Sequence, residues 1–261
     1  MNKENNSAFQ RQFLIWRDLA TYRGIGFASH RHNHFYMQVC LPDSGNVNLR
    51  GRNGICQSYR VACIPSGISH EMIPVSGSIT LIYLDPLTTG LGLFSDRVLE
   101  PDYPAFELDD LFAESVRRKI RNILQTPGAQ VRSQILDVLK GYRIRSPQHT
   151  LDPRIQRSLI GASADDFCLG KLAGDANLSV SRFRHLFKEE TGVALLDYRL
   201  WLKVKQAVHY MADHPDLALA AYDGGFADQA HFSRVFRRSF GMNPSEFTKG
   251  NYPFTASFFA D

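Results

Sequence analysis

Two short stretches in the last hundred residues of this 261-residue chain carry cations at helical spacing. Residues 180–190 hold Arg182, Arg184, His185 and Lys188, and residues 229–240 hold Arg234, Arg237 and Arg238. Cations on such helices can grip phosphate, while arginine can also pair bidentately with guanine and glutamine with adenine. A second set of chemistry-bearing residues lies near the amino terminus. His32-x-His34 is followed by Gln38 and later by Pro65-x-Gly67-x-x-His70. Alternation on a strand turns His32 and His34 to one side, and His70 could face them from a neighbouring strand. Three imidazoles could hold a divalent metal, but no carboxylate completes the set. Packing, or hydrogen bonds to an organic ligand in a pocket, accounts for them better, so no metal and no cofactor is expected.

The elements that must position the cations are two helix-turn-helix units in tandem. Leu172-Ala173 runs through Asn177-Leu178 to Ser179, and Ala220-Ala221 runs through Gly224-Gly225-Phe226 to Asp228; Ser179 and Asp228 are good N-caps for the short helices that follow. Between the units, residues 194–212 contain neither proline nor glycine, and Leu195, Leu196, Tyr198, Leu202, Val204, Ala207, Val208 and Met211 return every three or four residues. Nineteen helical residues span roughly 28 Å, close to the roughly 34 Å between successive major-groove faces on one side of a duplex. Phe183, Leu186, Phe187, Phe226, Phe232, Phe236 and Phe240 form the apolar faces and are assigned to the core. Gly192 and Gly241 are expected to end helices, and Pro244 to occupy the first turn of a last short one. Ser181, Arg182, Arg184, His185 and Lys188 then face outward on one helix, and Gln229, Ala230, His231, Ser233, Arg234, Arg237 and Arg238 on the other. Lys188, Arg237 and Arg238 are placed for phosphate.

The same residues resemble the AraC/XylS regulators. The resemblance is carried by Leu172-Ala173, Ser179, Phe183, Phe187-Lys188, Gly192, Tyr198 and Ala207, then by Gly225-Phe226, Asp228-Gln229, Phe232-Ser233-Arg234, Phe236-Arg237-Arg238, Phe240-Gly241 and Pro244-Ser245-Glu246-Phe247, over residues 169–249. It implies base-edge contacts from Ser181, Arg184, His185, Gln229, His231, Ser233 and Arg234, with Arg182, Lys188, Arg237 and Arg238 on phosphate. The partners implied are double-stranded promoter DNA, RNA polymerase, a small-molecule effector and a second copy of the chain. His185 and Lys203 stand where the family usually has arginine, which puts the strength of the first unit in doubt.

Residues 25–85 read differently. Short apolar runs at 35–41, 60–64 and 79–84 are separated by Gly, Pro, Asn and Ser, an all-β pattern. The two histidine motifs resemble those of a cupin barrel, with Gln38 where metal-binding cupins carry Glu. His32, His34, Tyr36, Gln38 and His70 are therefore the effector-binding candidates. The expected fold is α+β: a cupin-like sensing domain at 1–105, amphipathic linker helices at 106–149, a DNA-binding domain at 150–250 and a tail at 251–261. Within the linker, Phe112, Val116, Ile120 and Ile123 form an apolar stripe that can cover the barrel or pair with its twin in a dimer. Residues 146–149 read as the joint to the last domain.

Charge narrows little. The formal net charge is +4, and residues 151–261 carry thirteen Lys or Arg against thirteen Asp or Glu, so the DNA-binding part must act through a local face. Between 117 and 145, eight cations face only Asp137, which reads as a solvated helix face or as additional phosphate contact. Four cysteines make no metal-type pair and are expected as free thiols. No apolar run is long enough to span a bilayer and the amino terminus is polar, so a cytoplasmic protein without membrane contact is expected. The chain reads as a sequence-specific, effector-responsive regulator of transcription, an activator by resemblance, and not as an enzyme. A metal-dependent cupin enzyme on a DNA-binding tail and a constitutive DNA-binding protein are the alternatives.

Overall fold

The computed structural model describes residues 11–16, 18–86, 103–107, 110–126, 128–141, 152–159, 167–191, 193–214, 216–245 and 254–259. The amino-terminal half is built from β1 (Arg11–Ile15), β2 (Leu19–Ile25), β3 (Met37–Pro42), β4 (Val47–Arg50), β5 (Cys56–Tyr59), β6 (Ala62–Ile64), β7 (Glu71–Met72), β8 (Ser78–Leu84) and β9 (Phe106–Glu107). They form a seven-stranded sheet, which includes a last strand β10 (Phe254–Phe258), in the order β10-β1-β2-β8-β3-β6-β9, and a three-stranded sheet β5-β4-β7. Sheet residues alternate between two cores. Phe13, Tyr22, Cys40, Ile64 and Tyr83 pack inward with Val47, Leu49 and Met72 of the smaller sheet, while Leu14, Trp16, Val39, Cys63 and Ile82 face the other way. The all-β expectation holds, but β1 and β2 precede the stretch that suggested it. In β1 and β2 both faces are largely buried, yet Gln12, Thr21 and Arg23 interrupt the apolar pattern.

The second face is covered by α1 (Asp110–Gln125) and α2 (Val131–Gly141). Ala113, Val116, Ile120 and Leu124 join Ile135 and Leu139 against the sheet, whereas Phe112 is 47% exposed. The apolar stripe is thus turned by one position from the expected one, and Val116 and Ile120 serve the sheet rather than a dimer. The basic block is corrected in part: Arg118, Lys119 and Lys140 are exposed as a solvated face requires, but three arginines are not. Arg117 is buried and donates to the Arg60 and Gly45 carbonyls, Arg121 donates to the Asp43 carbonyl, and Arg132 grips buried Asp18 through two bonds of 2.8 and 2.6 Å. These three arginines fasten the helices to the sheet instead of facing solvent or phosphate. Arg143, Arg145 and the 146–149 joint lie outside the described residues.

The carboxy-terminal half contains α3 (Pro153–Leu159), α4 (Leu169–Asp175), α5 (Val180–Thr191), α6 (Leu195–Asp213), α7 (Leu217–Asp223) and α8 (Gln229–Phe240). The pairs α4–α5 and α7–α8 are the two helix-turn-helix units, and α6 is the nineteen-residue connector. Each turn follows one backbone solution. Asn177 (φ 54°) and Gly225 (φ 67°) take the left-handed conformation, and the next amide bonds back into the first helix, Leu178 to the Ala173 carbonyl and Phe226 to the Ala221 carbonyl, both at 2.9 Å. Asparagine tolerates that conformation better than most side chains, which explains its use where the second unit has glycine. The predicted N-caps function: Ser179 Oγ accepts the Arg182 amide at 3.2 Å and Asp228 Oδ1 the His231 amide at 2.6 Å. Gly241 ends α8 at φ 71°. Gly192 and most of the helix expected after Pro244 lie outside the described residues.

The expected tail is in fact a strand. β10 pairs parallel with β1 from Arg11↔Phe254 to Ile15↔Phe258, and Phe259 stacks on Trp16 with centroids 4.9 Å apart. The end of the DNA-binding half therefore protects an edge of the amino-terminal sheet. Removing residues 254–261 is expected to cost about 1–3 kcal/mol, from one aromatic stack and several cross-strand pairs. Chemical denaturation checks this, and an unchanged midpoint would show that the strand adds nothing.

Candidate nucleic-acid interface and sensor cluster

The apolar faces of α5 and α8 dictate what remains outside. Phe183, Leu186 and Phe187 are buried beneath α5, and Phe232, Val235, Phe236 and Phe240 beneath α8. Ser181, Arg182, Arg184, His185 and Lys188 are consequently exposed, as are Gln229, Arg234, Arg237 and Arg238, while His231 and Ser233 are half-buried. The His231 ring stands edge-on to Phe226 at 5.3 Å, so part of its surface serves packing. Arg184, Lys188, Arg234 and Arg237 have no ion pair among the described residues, whereas Arg182 and His185 reach Glu189 at 3.4 and 3.6 Å and Arg238 donates to Asp197 at 3.0 Å. All three engaged side chains are more than half exposed. Such pairs contribute at most about 1 kcal/mol, so a phosphate can displace them.

Lys203 has a role that sequence reasoning missed. Its ammonium donates to the Gly225 carbonyl and lies 5.6 Å from the Phe226 ring centre, so it staples the connector to the second turn. Gly224 packs there as well: a Cβ at Gly224 would lie 2.7 Å from the Lys203 carbonyl oxygen. The partners are some twenty residues apart, and no local pattern announces them.

The amino-terminal candidates converge. His32 and His70 form a two-residue antiparallel bridge with both amide bonds at 2.9 Å, and the rings of His32, His34 and His70 lie 4.2 to 5.5 Å apart. Nδ1 of His32, His34 and His70 sits 2.7, 2.7 and 3.0 Å from the carbonyls of His30, Tyr36 and Ile68. For His32 and His70 the carbonyl fixes the Nδ1–H form and leaves Nε2 with its lone pair, whereas His34 has an oxygen acceptor at each ring nitrogen, the Tyr36 carbonyl at Nδ1 and Gln38 Oε1 at Nε2. His34 Nε2 lies 2.8 Å from the Gln38 carboxamide, whose other end is 3.2 Å from Cys40 Sγ, while His70 Nε2 is buried without a partner. Burial lowers all three imidazole pKa values, to about 4 for His32, to about 3 for His34 and well below the ordinary range for His70. All three are therefore neutral near pH 7.

Tyr36 stacks on His34 with ring centroids 4.0 Å apart and links the cluster to the helical half. Its hydroxyl donates to the Ser239 carbonyl in the last turn of α8, and its ring packs 4.5 Å from Trp201 and 5.9 Å from Phe240. Phe35 packs against Tyr198 at 4.7 Å, and the His30 amide donates to the Gly241 carbonyl at 2.9 Å. A continuous apolar core thus joins the sheet to α6 and α8. Two small cavities remain in this seam. One of about 20 Å³ lies among Phe13, Ile15, Tyr83, Trp201, Lys205 and Met211, and one of about 30 Å³ touches His34, Tyr36, Asp197 and Arg238.

The helix-turn-helix domain family model matches residues 172–250, the stretch holding both units. The arabinose operon regulatory protein of Escherichia coli K12 is 35% identical over 86 residues, 33% of this chain and 30% of that protein, so this chain matches only about a third of its length. The transcriptional activator RhaS of Citrobacter koseri is 32% identical over 246 residues, covering 84% of this chain and 87% of its own. Among solved structures, ToxT of Vibrio cholerae shares the fold, with a TM-score of 0.58 for an apo form (13% identity, 94% of this chain and 98% of that one) and 0.51 for the wild type with an unsaturated fatty acid bound (16% identity, 95% and 97%). Tandem recognition helices on a rigid connector, an amino-terminal sheet domain, and a likeness to RhaS along most of both chains lead to one conclusion: this chain belongs to the AraC/XylS family of DNA-binding transcriptional regulators.

Proposed function

We propose that this chain is a promoter-binding activator whose effector acts at the seam between the amino-terminal sheet and helices α6 and α8. The observation that carries the reading is the division of labour along α8. Its first half shows Gln229 and Arg234 to solvent, and its last turn holds Phe240 and the Ser239 carbonyl against Tyr36. A ligand that changes the seat of the last turn changes the pose of the residues meant for bases, which is the differential contact that coupling between two sites requires.

The effector reading favours an apolar acid. The smaller cavity is walled by aromatic and aliphatic side chains with Lys205 as its one charged group. At about 20 Å³ it accommodates a single water, so a larger ligand selects a wider arrangement of the two halves. The fatty acid bound to ToxT has the matching chemistry of an apolar body and an acidic head. Activation also calls for RNA polymerase as a partner, and a homodimer would use a surface other than Val116 and Ile120. An enzyme built on the histidines would need them open to substrate, whereas His32, His34 and His70 are all buried.

The DNA arm is tested by two substitutions. Arg184→Ala is expected to lose about 1–3 kcal/mol of discrimination at particular base pairs, whereas Arg237→Ala weakens binding to all sequences alike and reduces its salt dependence. Equal small losses on cognate and scrambled duplexes would remove the base-reading role. The effector arm is tested by titrating an unsaturated fatty acid against DNA affinity, where an unaltered affinity up to saturating lipid would exclude that class.

A further inference from the structure

We propose that the β4–β5 hairpin of the amino-terminal half is a second contact for the DNA duplex, gripping the phosphate backbone beyond the end of α8 through Arg31, Arg50 and Arg52. The cations are gathered by the fold. Arg31 donates to the Arg52 carbonyl at 3.4 Å and lies 3.8 Å from Glu71, which also accepts from Arg50 at 2.9 Å. Three arginines are thus gathered about one carboxylate, and Arg52 itself is in no ion pair among the described residues. Arg31 and Arg52 are exposed, and the Arg50 side chain keeps 39% of its surface in water. Ion pairs this close to solvent are weak, so phosphate can replace Glu71 as the partner.

The hairpin tip is built to hold its shape. The Gly51 amide donates to the Ile55 carbonyl at 3.0 Å, the Gly54 amide donates to the Gly51 carbonyl at 3.1 Å, and Asn53 Oδ1 accepts the Ile55 amide at 2.9 Å. Arg52 therefore sits on an ordered turn, and binding there orders little backbone. Its place beside α8 follows from three pairings. The His30 amide donates to the carbonyl of Gly241, the cap of α8; Ser29 bonds both the amide and the carbonyl of Met72; and β7 pairs with β4 at Leu49↔Met72 and Arg50↔Glu71. Neighbouring strands lie about 4.8 Å apart, so the β4 backbone at Arg50 stands about 10 Å from the segment that seats α8. The last turn of α8 carries Arg237 and Arg238, and the hairpin continues that basic surface past the helix end. A duplex carries one negative charge per about 1.7 Å of its axis, and a convex tip suits that backbone better than a small molecule, which needs a concave site. A duplex held by both halves fixes their relative pose, so DNA and effector act on the same arrangement.

The contact rests on the DNA-binding reading of α8, and Arg237→Ala is the control for that reading. Full-length protein carrying both Arg31→Ala and Arg52→Ala is titrated with a captured genomic site and its scrambled version from about 50 to 200 mM salt. The slope of log affinity against log salt is expected to become shallower by about 1–2, equally on both duplexes. Hydroxyl-radical protection is expected to shorten on the flank beyond α8. Arg52→Ala alone breaks no ion pair among the described residues and should give about half of the slope change, with an unaltered far-ultraviolet spectrum. Arg118→Ala removes an exposed cation from α1, on the opposite face of the large sheet, and should leave the slope as it is. An unchanged slope in the double variant, while Arg237→Ala lowers it, would overturn the hairpin contact alone. Unchanged slopes in both would overturn the reading of α8 as well. An equal drop in Arg118→Ala would also overturn the contact, because net charge alone would then account for it.

Discussion

Replacing Gly241 by alanine is expected to unseat α8 from the amino-terminal half and to leave a regulator that no longer responds to its effector. Gly241 has φ 71°, and an added Cβ would lie 2.4 Å from Ser29 Cβ and under 3.0 Å from the His32 ring. Ser29 and His32 are themselves buried, and the Ser29 hydroxyl accepts the Met72 amide at 2.8 Å, so neither can simply step aside. Gly225 supplies the control. It has nearly the same φ, 67°, but its Cβ would meet only the end of the Lys203 side chain at 3.6 Å. Gly225→Ala should therefore cost about 1 kcal/mol of backbone strain alone, whereas Gly241→Ala should cost at least about twice that, because the overlap is added to the strain. Denaturation of both variants, together with DNA affinity with and without effector, separates the terms. Equal losses and an intact effector response in Gly241→Ala would show that the seam is not the relay.

Arg132→Ala is expected to be the more damaging change to the amino-terminal half, at about 3–5 kcal/mol. Asp18 is 4% exposed and receives two nearly parallel bonds from the Arg132 guanidinium, at 2.8 and 2.6 Å. Removing the arginine leaves a buried carboxylate without its counter-charge, in the turn between β1 and β2 and against the helix that covers them. Arg132→Lys should recover only part of the loss, since an ammonium cannot reproduce the two-pronged geometry. Adding Asp18→Asn to Arg132→Ala should recover stability by removing the stranded charge. A loss below about 1 kcal/mol for Arg132→Ala, typical of exposed pairs, would place Asp18 in contact with water.

What the sequence made legible follows the range of the interactions involved. The two helix-turn-helix units depend on local signals, an N-cap three residues before the amide it holds and phenylalanines at helical spacing, so Ser179, Asp228 and the buried faces of α5 and α8 were readable directly. The nineteen-residue connector was readable for the same reason. His32, His34 and His70 do converge, but not by strand alternation: residues 26–36 lie between β2 and β3, and an isolated antiparallel bridge joins His32 to His70. Long-range partnerships were not readable. Arg117, Arg121 and Arg132 resemble any solvated helix cations until their carbonyl and carboxylate partners arrive from the sheet. Tyr36 is readable as an effector-binding candidate, but its bond to a carbonyl two hundred residues away is not. β10 joins residues from opposite ends of the chain in a parallel pair, which no hairpin turn can announce.

Capture of genomic fragments by the purified full-length protein at physiological salt, followed by footprinting of the enriched sites, tests the central claim most directly. The account predicts a discrete set of sites, each protected over two adjacent major-groove segments about one helical turn apart, because the nineteen-residue α6, roughly 28 Å long, joins the two units. Enrichment should fall sharply in a protein carrying both Arg184→Ala and Arg234→Ala. Binding that is strongly salt-sensitive, indifferent to sequence and unaltered by those substitutions would contradict it, and would reduce α5 and α8 to scaffolding.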